Sequence, residues 1–153
     1  MAKKNDRSQY FKSEYMHIGA LVAMESVAKN RGVERGVAFI LVKPKHESSG
    51  EIRFRIVNKE MVREPLGREV EAVEAGTNYF GVAMTKLAVM MALDVDSGSV
   101  KSHLKKGETP YRGGLIRFIQ DYVIYVGFSG GTEDQDVEIA QAGMKMLLAD
   151  ASL

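Results

Sequence analysis

Cysteine is absent from this sequence, and with it go disulfides, thiolate nucleophiles, Cys-type zinc sites and covalent c-type haem attachment. Also missing is a run of ~18 or more apolar residues, the least that a membrane-spanning helix needs. A secretory leader would require an apolar stretch behind a basic start. Here the first nine residues are polar, with Lys3, Lys4, Asp6 and Arg7, and no such stretch follows. An excess of one charge is lacking too, since 21 Lys and Arg stand against 20 Asp and Glu. Phosphate backbones are bound through a basic excess, so a dedicated nucleic-acid binder is not expected. These absences predict a cytoplasmic protein with neither membrane nor nucleic acid as a partner.

What is present is the composition of a globular chain. It has 153 residues, 45% of them hydrophobic, which is the length of one ordinary domain. Such a chain buries roughly two-thirds of its unfolded surface and folds without a disulfide or structural metal. A flexible arm is expected over residues 1–12 and a single domain over 13–153. No internal repeat, low-complexity tract or linker divides it.

Periodicity gives the elements. From Ser13 to Arg31 apolar Ile18, Leu21, Val22 and Ala28 recur at helical spacing, with Ser13 placed as N-cap and Gly32 as the stop. The apolar face is broad enough to suggest burial on more than one side, part of it against another subunit. Gly36 to Val42 is a continuous apolar run ended by Pro44, the pattern of a strand covered on both faces. Glu51 to Val57 alternates, placing Ile52, Phe54 and Ile56 on one face and Arg53 and Arg55 on the other. The two form a hairpin with the second strand half-buried. Between Asn58 and Gly76, Leu66, Val70 and Val73 would share one side of a short acidic helix, with Glu69, Glu71 and Glu74 solvated. Thr77 to Leu93 reads as a helix with Phe80, Ala83, Met84, Leu87, Ala88 and Met91 as its stripe. Leu115 to Ile119 and Tyr122 to Phe128 are strands about Gln120-Asp121, a poor type I′ turn without glycine. Thr132 to Ala149 is a helix opened by a Thr132–Gln135 capping box, with Glu133, Asp134 and Asp136 complementing its dipole. The order α-β-β-(α)-α-β-β-α predicts an α+β fold in which helices pack on an antiparallel sheet.

Few residues point to chemistry. Gly127-Phe128-Ser129-Gly130-Gly131-Thr132 joins a strand to a helix N-terminus, where free N–H groups hold anions. The same glycines equally serve a sharp turn, and the acidic first turn of the helix opposes a phosphate. The loop lacks the lysine of a P-loop and the third glycine of a dinucleotide fingerprint. His17, His46 and His103 are too scattered to form a motif. His17 lies on a helix beside apolar neighbours, suited either to a satisfied interior position or to a metal or haem ligand. His46 and His103 are expected in solvent. No triad or nucleophile elbow is present, so no catalytic residue is assigned. The nine methionines fall mostly at core spacings.

The stretch from Gly113-Gly114-Leu115 through Gly127-Phe128-Ser129-Gly130-Gly131-Thr132 and Asp136-Val137-Glu138-Ile139-Ala140 resembles the GlcG/HbpS-like family, the haem-degrading or haem-binding-domain family that includes a PduO C-terminal-like domain. Ala83-Met84-Thr85-Lys86-Leu87-Ala88 is similar to that family's central Lys-Ala helix. The resemblance covers most of the chain and is sharp from Gly113 onward. It departs at Gln120-Asp121, where the family has Asp-Gly, and at 46–76, which is longer than the family pattern.

The resemblance implies a profilin-like, five-stranded antiparallel sheet flanked by helices and assembly into dimers or larger homo-oligomers. It also implies a small-molecule binding or sensing role, with haem, another tetrapyrrole or a corrinoid as the ligand. His17 is then the candidate axial ligand, while Gly113, Gly114, Ser129, Gly130, Gly131 and Thr132 form the polar wall of the pocket. One alternative is an auxiliary enzyme of small oxygenated-metabolite (glycolate-type) metabolism, with Arg53, Arg55 or Arg112 about a carboxylate. Another is a purely structural oligomeric module.

Overall fold

A strand with no polar face has nothing to offer water, so the run around Phe39 must lie between two layers. It does. The computed structural model describes residues 13–64 and 76–149. Their elements are α1 (Glu14–Asn30), β1 (Val37–Pro44), β2 (Ile52–Ile56), α2 (Tyr79–Leu93), β3 (Gly114–Ile119), β4 (Tyr122–Ser129) and α3 (Glu133–Ala149), with one 3-10 turn at Lys59–Met61. The strands form an antiparallel sheet in the order β2-β1-β4-β3. β1 and β4, the two apolar runs, occupy its centre.

Alternation along β1 divides the core. Ala38 and Ile40 face α1 and α3, packing with Met24, Ala28, Ile124, Val126, Ile139 and Met144. Val37, Phe39 and Leu41 face α2, packing with Ala83, Leu87, Met90, Val123 and Tyr125. Phe39 stands opposite Gly127 in the ladder, and a Cβ on Gly127 would collide with the Phe39 ring. The missing side chain is the space that the ring fills.

The α+β class and the hairpin order are as expected, but the sheet has four strands among the described residues and not five. Along the outer side of β3 the described chain makes isolated bonds, from Ser97 N–H to the Gly114 carbonyl, from Gly114 N–H to Ser97 Oγ and from Ile116 N–H to Asp96 Oδ1. That is a loop tied to an edge, not a ladder. The expected flexible arm at 1–12 and the short acidic helix with Leu66, Val70, Val73, Glu69, Glu71 and Glu74 lie outside the described residues.

Other expectations are corrected by packing. β2 is an edge strand, and its apolar face is the less covered one: Ile52 and Phe54 are 44% and 50% exposed, and Phe54 meets the Phe80 ring edge-on at 5.2 Å. Its arginines reach across α1 instead, Arg53 to Glu14 at 3.3 Å and Arg55 to Glu25. On α2 the buried face is Tyr79, Ala83, Lys86, Leu87 and Met90, leaving Met91 exposed. Asn78 caps this helix, its Oδ1 accepting the Gly81 N–H at 2.9 Å. Ser13 holds the N-cap position of α1, yet its hydroxyl caps nothing. Gln120, at φ 52°, makes the two-residue turn between β3 and β4 without glycine. Met24, Met90 and Met144 are core residues, whereas Met146 is exposed. Among the described residues no helix is long and apolar enough to cross a membrane.

Candidate functional site

β4 ends at Ser129 and α3 begins at Glu133, so three residues must turn the chain through a sharp angle. Gly130 does so at φ 154°, a conformation that favours glycine. The capping box then forms in both directions: Thr132 N–H donates to Gln135 Oε1 at 2.9 Å, and Gln135 N–H donates to Thr132 Oγ1 at 3.3 Å. This turn, the Val33–Arg35 link before β1 and the start of α2 border an open cleft of about 750 Å³.

The cleft floor is an ion pair taken out of water. Lys86 Nζ and Asp136 Oδ2 are 2.8 Å apart on side chains only 1% and 6% exposed. Lys86 also donates to the Phe128 carbonyl at 2.8 Å, and Asp136 Oδ1 accepts the Gly131 N–H at 2.8 Å. Burial pushes the Lys86 ammonium below its usual range and the Asp136 carboxyl above its own. In each case the partner's charge and hydrogen bonds oppose the shift. Burial of this kind is tolerated only where each group has partners of matched geometry.

A second linked set stands on the wall. The Tyr79 hydroxyl donates to Glu64 Oε1, and Thr77 N–H donates to Glu64 Oε2 at 3.0 Å. Arg35 lies 3.4 Å from Glu64 and 4.9 Å over the Tyr79 ring centroid. Burial, followed by the bond to the Glu64 carboxylate, raises the Tyr79 hydroxyl to about 12. The same bond from Tyr79 draws the Glu64 carboxyl down. Val82 and the half-exposed Tyr111 add apolar and aromatic surface.

The residues singled out in the sequence fall in three places. Ser129, Gly130, Gly131 and Thr132 line the cleft. The N–H groups of Gly131 and Thr132 are committed, however: the anion at this helix N-terminus is the Asp136 carboxylate, and Gln135 takes the Thr132 N–H. Gly113 and Gly114 lie behind the cleft. Gly113 has φ 117°, and a Cβ there would stand 2.6 Å from the Asp136 Cβ and 2.8 Å from Lys86 Nζ. Gly114 donates its N–H to Ser97 Oγ at 2.8 Å. Gly113 makes room for the buried pair, and Gly114 for Met90 and Ser97.

His17 is buried on α1 and lines a separate cavity of about 500 Å³ with Val42, Lys43, Pro44 and Arg53. Ser129 pairs with Val37 and Tyr122 with Pro44, so the two cavities lie at opposite ends of β1. At ~3.3 Å per residue those ends are ~23 Å apart along the strand. One small ligand does not touch both in a single chain. His46 and His103 are exposed, as expected. Arg53, Arg55 and Arg112 do not converge, since Arg112 pairs with Asp134 at 2.6 Å while the other two serve β2. Among the described residues no group of three or more His, Asp or Glu is placed to hold a metal.

The sequence marks Asp136 as a dipole-complementing residue that opens a family-like helix, and Lys86 as part of another such helix. A signal for Lys86 was available, because it is the single charge in YFGVAMTKLAVMMAL. Tyr79, Glu64 and Arg35 carried no pattern that would have joined them.

No protein-family model matches the sequence, and no curated protein matches it. Solved structures do resemble the fold. The crystal structure of Klebsiella pneumoniae protein ORFY, of family DUF336, superposes with a TM-score of 0.58 at 16% identity, covering 90% of each chain. A PduOC:haem complex gives a TM-score of 0.58 at 15% identity, over 88% of this chain and 93% of that one. HbpS gives 0.47 at 17% identity over 88% and 89%, a likeness too loose to build on. The first two superpositions share the implied arrangement of helices on an antiparallel sheet, here with four strands among the described residues and not five.

Proposed function

We propose that this chain is a GlcG/HbpS-like small-molecule binding or sensing protein, working as a homo-oligomer, with a tetrapyrrole such as haem as its first candidate ligand. The observation that carries the binding role is the cleft at the end of β4, with a matched ion pair on its floor and the Tyr79–Glu64–Arg35 set on its wall. A fold that merely packed would gain more by filling that space with apolar side chains than by burying a charged pair beneath it.

The haem reading draws on the fold shared with the PduOC:haem complex. Nothing among these neighbours favours a corrinoid. The cavity at the other end of β1 suits a porphyrin chemically: His17 supplies a buried imidazole, Val42 and Pro44 supply apolar wall, and Lys43 and Arg53 supply cations for carboxylate substituents. His17 would hold the iron there. The homo-oligomer reading is supported by an apolar stripe left outside on α1, where Tyr15, Ile18 and Val22 are 87%, 45% and 45% exposed.

Titrating haem into the purified full-length protein tests the ligand. A saturable Soret shift that His17→Ala abolishes is the expected result. A shift unchanged by His17→Ala removes the ligand assignment, and no shift removes haem. The runner-up is an auxiliary enzyme acting on a small oxygenated metabolite, favoured by the polar cleft itself. A thermal-shift screen of such metabolites separates the two, because stabilisation scales with affinity.

A further inference from the structure

The cleft floor holds a nucleophile that simple binding leaves unused. Lys86 Nζ has two oxygens within 2.8 Å, the Phe128 carbonyl and Asp136 Oδ2, and its 1%-exposed side chain reaches the cleft. An ammonium carries three donors, and the described residues offer it these two acceptors. A neutral amine carries two N–H groups and one lone pair. The same two oxygens satisfy it fully and leave the lone pair over. Asp136 is not stranded by that exchange, because the Gly131 N–H continues to donate to its Oδ1. Burial favours the neutral amine as well. Gly113 lets its backbone pack close to Nζ, where a Cβ would stand 2.8 Å away.

We propose that Lys86 forms an imine with a small aldehyde or ketone admitted to the cleft, an inference that rests on reading the cleft as a ligand site. The step balances without an oxidant or reductant. A proton passes from Nζ to the Asp136 carboxylate across the 2.8 Å contact. The freed lone pair bonds to the carbonyl carbon, and the carbonyl π pair moves to oxygen. One proton shifts from nitrogen to that oxygen. Asp136 returns its own, and water leaves as the C=N bond forms. The product is a protonated imine facing a carboxylate, so the charge of the buried pair is the same before and after.

The test is reductive trapping on the full-length protein at neutral pH. Propanal and, separately, glyoxylate are added with cyanoborohydride, and the labelled lysines are mapped by peptide mass spectrometry. With either probe Lys86 should gain the reduced adduct several-fold faster than the exposed Lys29 or Lys101. Lys86→Arg, which keeps a cation beside Asp136, should lose the fast phase, and Asp136→Asn should slow it. If Lys86→Arg does not fold, the wild-type map decides alone. Labelling of the exposed lysines with Lys86 the slowest of all overturns the proposal. A metabolite that raises the melting temperature while Lys86 stays unlabelled sinks the imine and leaves the binding reading standing. If neither occurs, both fall.

Discussion

The two ends of the β1–β4 ladder handle charge in opposite ways. At the Ser129 end, Lys86 and Asp136 are nearly dry, and every contact they make is short and internal. At the Pro44 end, Arg53 touches Glu14 at 3.3 Å and Glu51 at 3.6 Å, with the glutamates 64% and 86% exposed. The same chemistry, an amine or guanidinium beside a carboxylate, is therefore worth very different amounts. Water screens the far end, whereas at the cleft each charge depends on its partner.

Breaking the buried pair tests this contrast most severely. Asp136→Ala or Lys86→Met should each cost about 3–5 kcal/mol in denaturant unfolding, since either strands a charge. Lys86→Met with Asp136→Ala should cost clearly less than the two singles summed. A single substitution with no measurable loss would mean that the pair is wet.

Tyr79 sharpens the comparison by pH. Its hydroxyl sits at about 12 against an ordinary 10.0. A folded value raised above the unfolded one gives stability that is complete below pH 10 and disappears as the pH climbs through the folded value. Unfolding free energy should therefore fall across the window from 10 to about 12, and Tyr79→Phe should flatten much of that fall. A spectrophotometric titration should show Tyr79 ionising late, alongside Tyr125, which burial also raises. A titration unaltered by Tyr79→Phe would break the assignment.

The smallest effect belongs to the far end. Arg53→Ala should cost no more than about 1 kcal/mol, and salt should shrink that further. A loss comparable with that of Asp136→Ala would erase the distinction between the two ends.

Much of the architecture was readable because it is local. The apolar run of β1, the Gly32 stop and the Thr132–Gln135 box each depend on neighbours within a few residues, and each stands where it was expected. What depended on distant partners was not readable. The alternation of Ile52, Phe54 and Ile56 was sound, yet only the sheet order shows that β2 is an edge with little to cover it. The site was legible in outline and not in chemistry. Ser129 to Thr132 do border a cleft, but the Gly131 and Thr132 donors are spent on Asp136 and Gln135. The pair beneath joins residues fifty positions apart. Short-range patterns cannot show that an acidic residue in a helix's first turn points inward, toward the one lysine of another helix.

The ring of Phe39 seated over Gly127 also discriminates between the registers in which β1 and β4 could pair. In the native ladder Phe39 faces Gly127, and neighbouring registers two residues away would set it against Tyr125 or Ser129. Neither leaves a vacancy for a phenyl ring, and a slip of one residue would turn the whole strand inside out. A β-rich chain risks pairing its central strands wrongly before its helices dock. Here one aromatic and one glycine make the correct register recognisable while the sheet is still assembling. Filling that notch with Gly127→Ala would damage the fidelity of folding as well as the stability of its product.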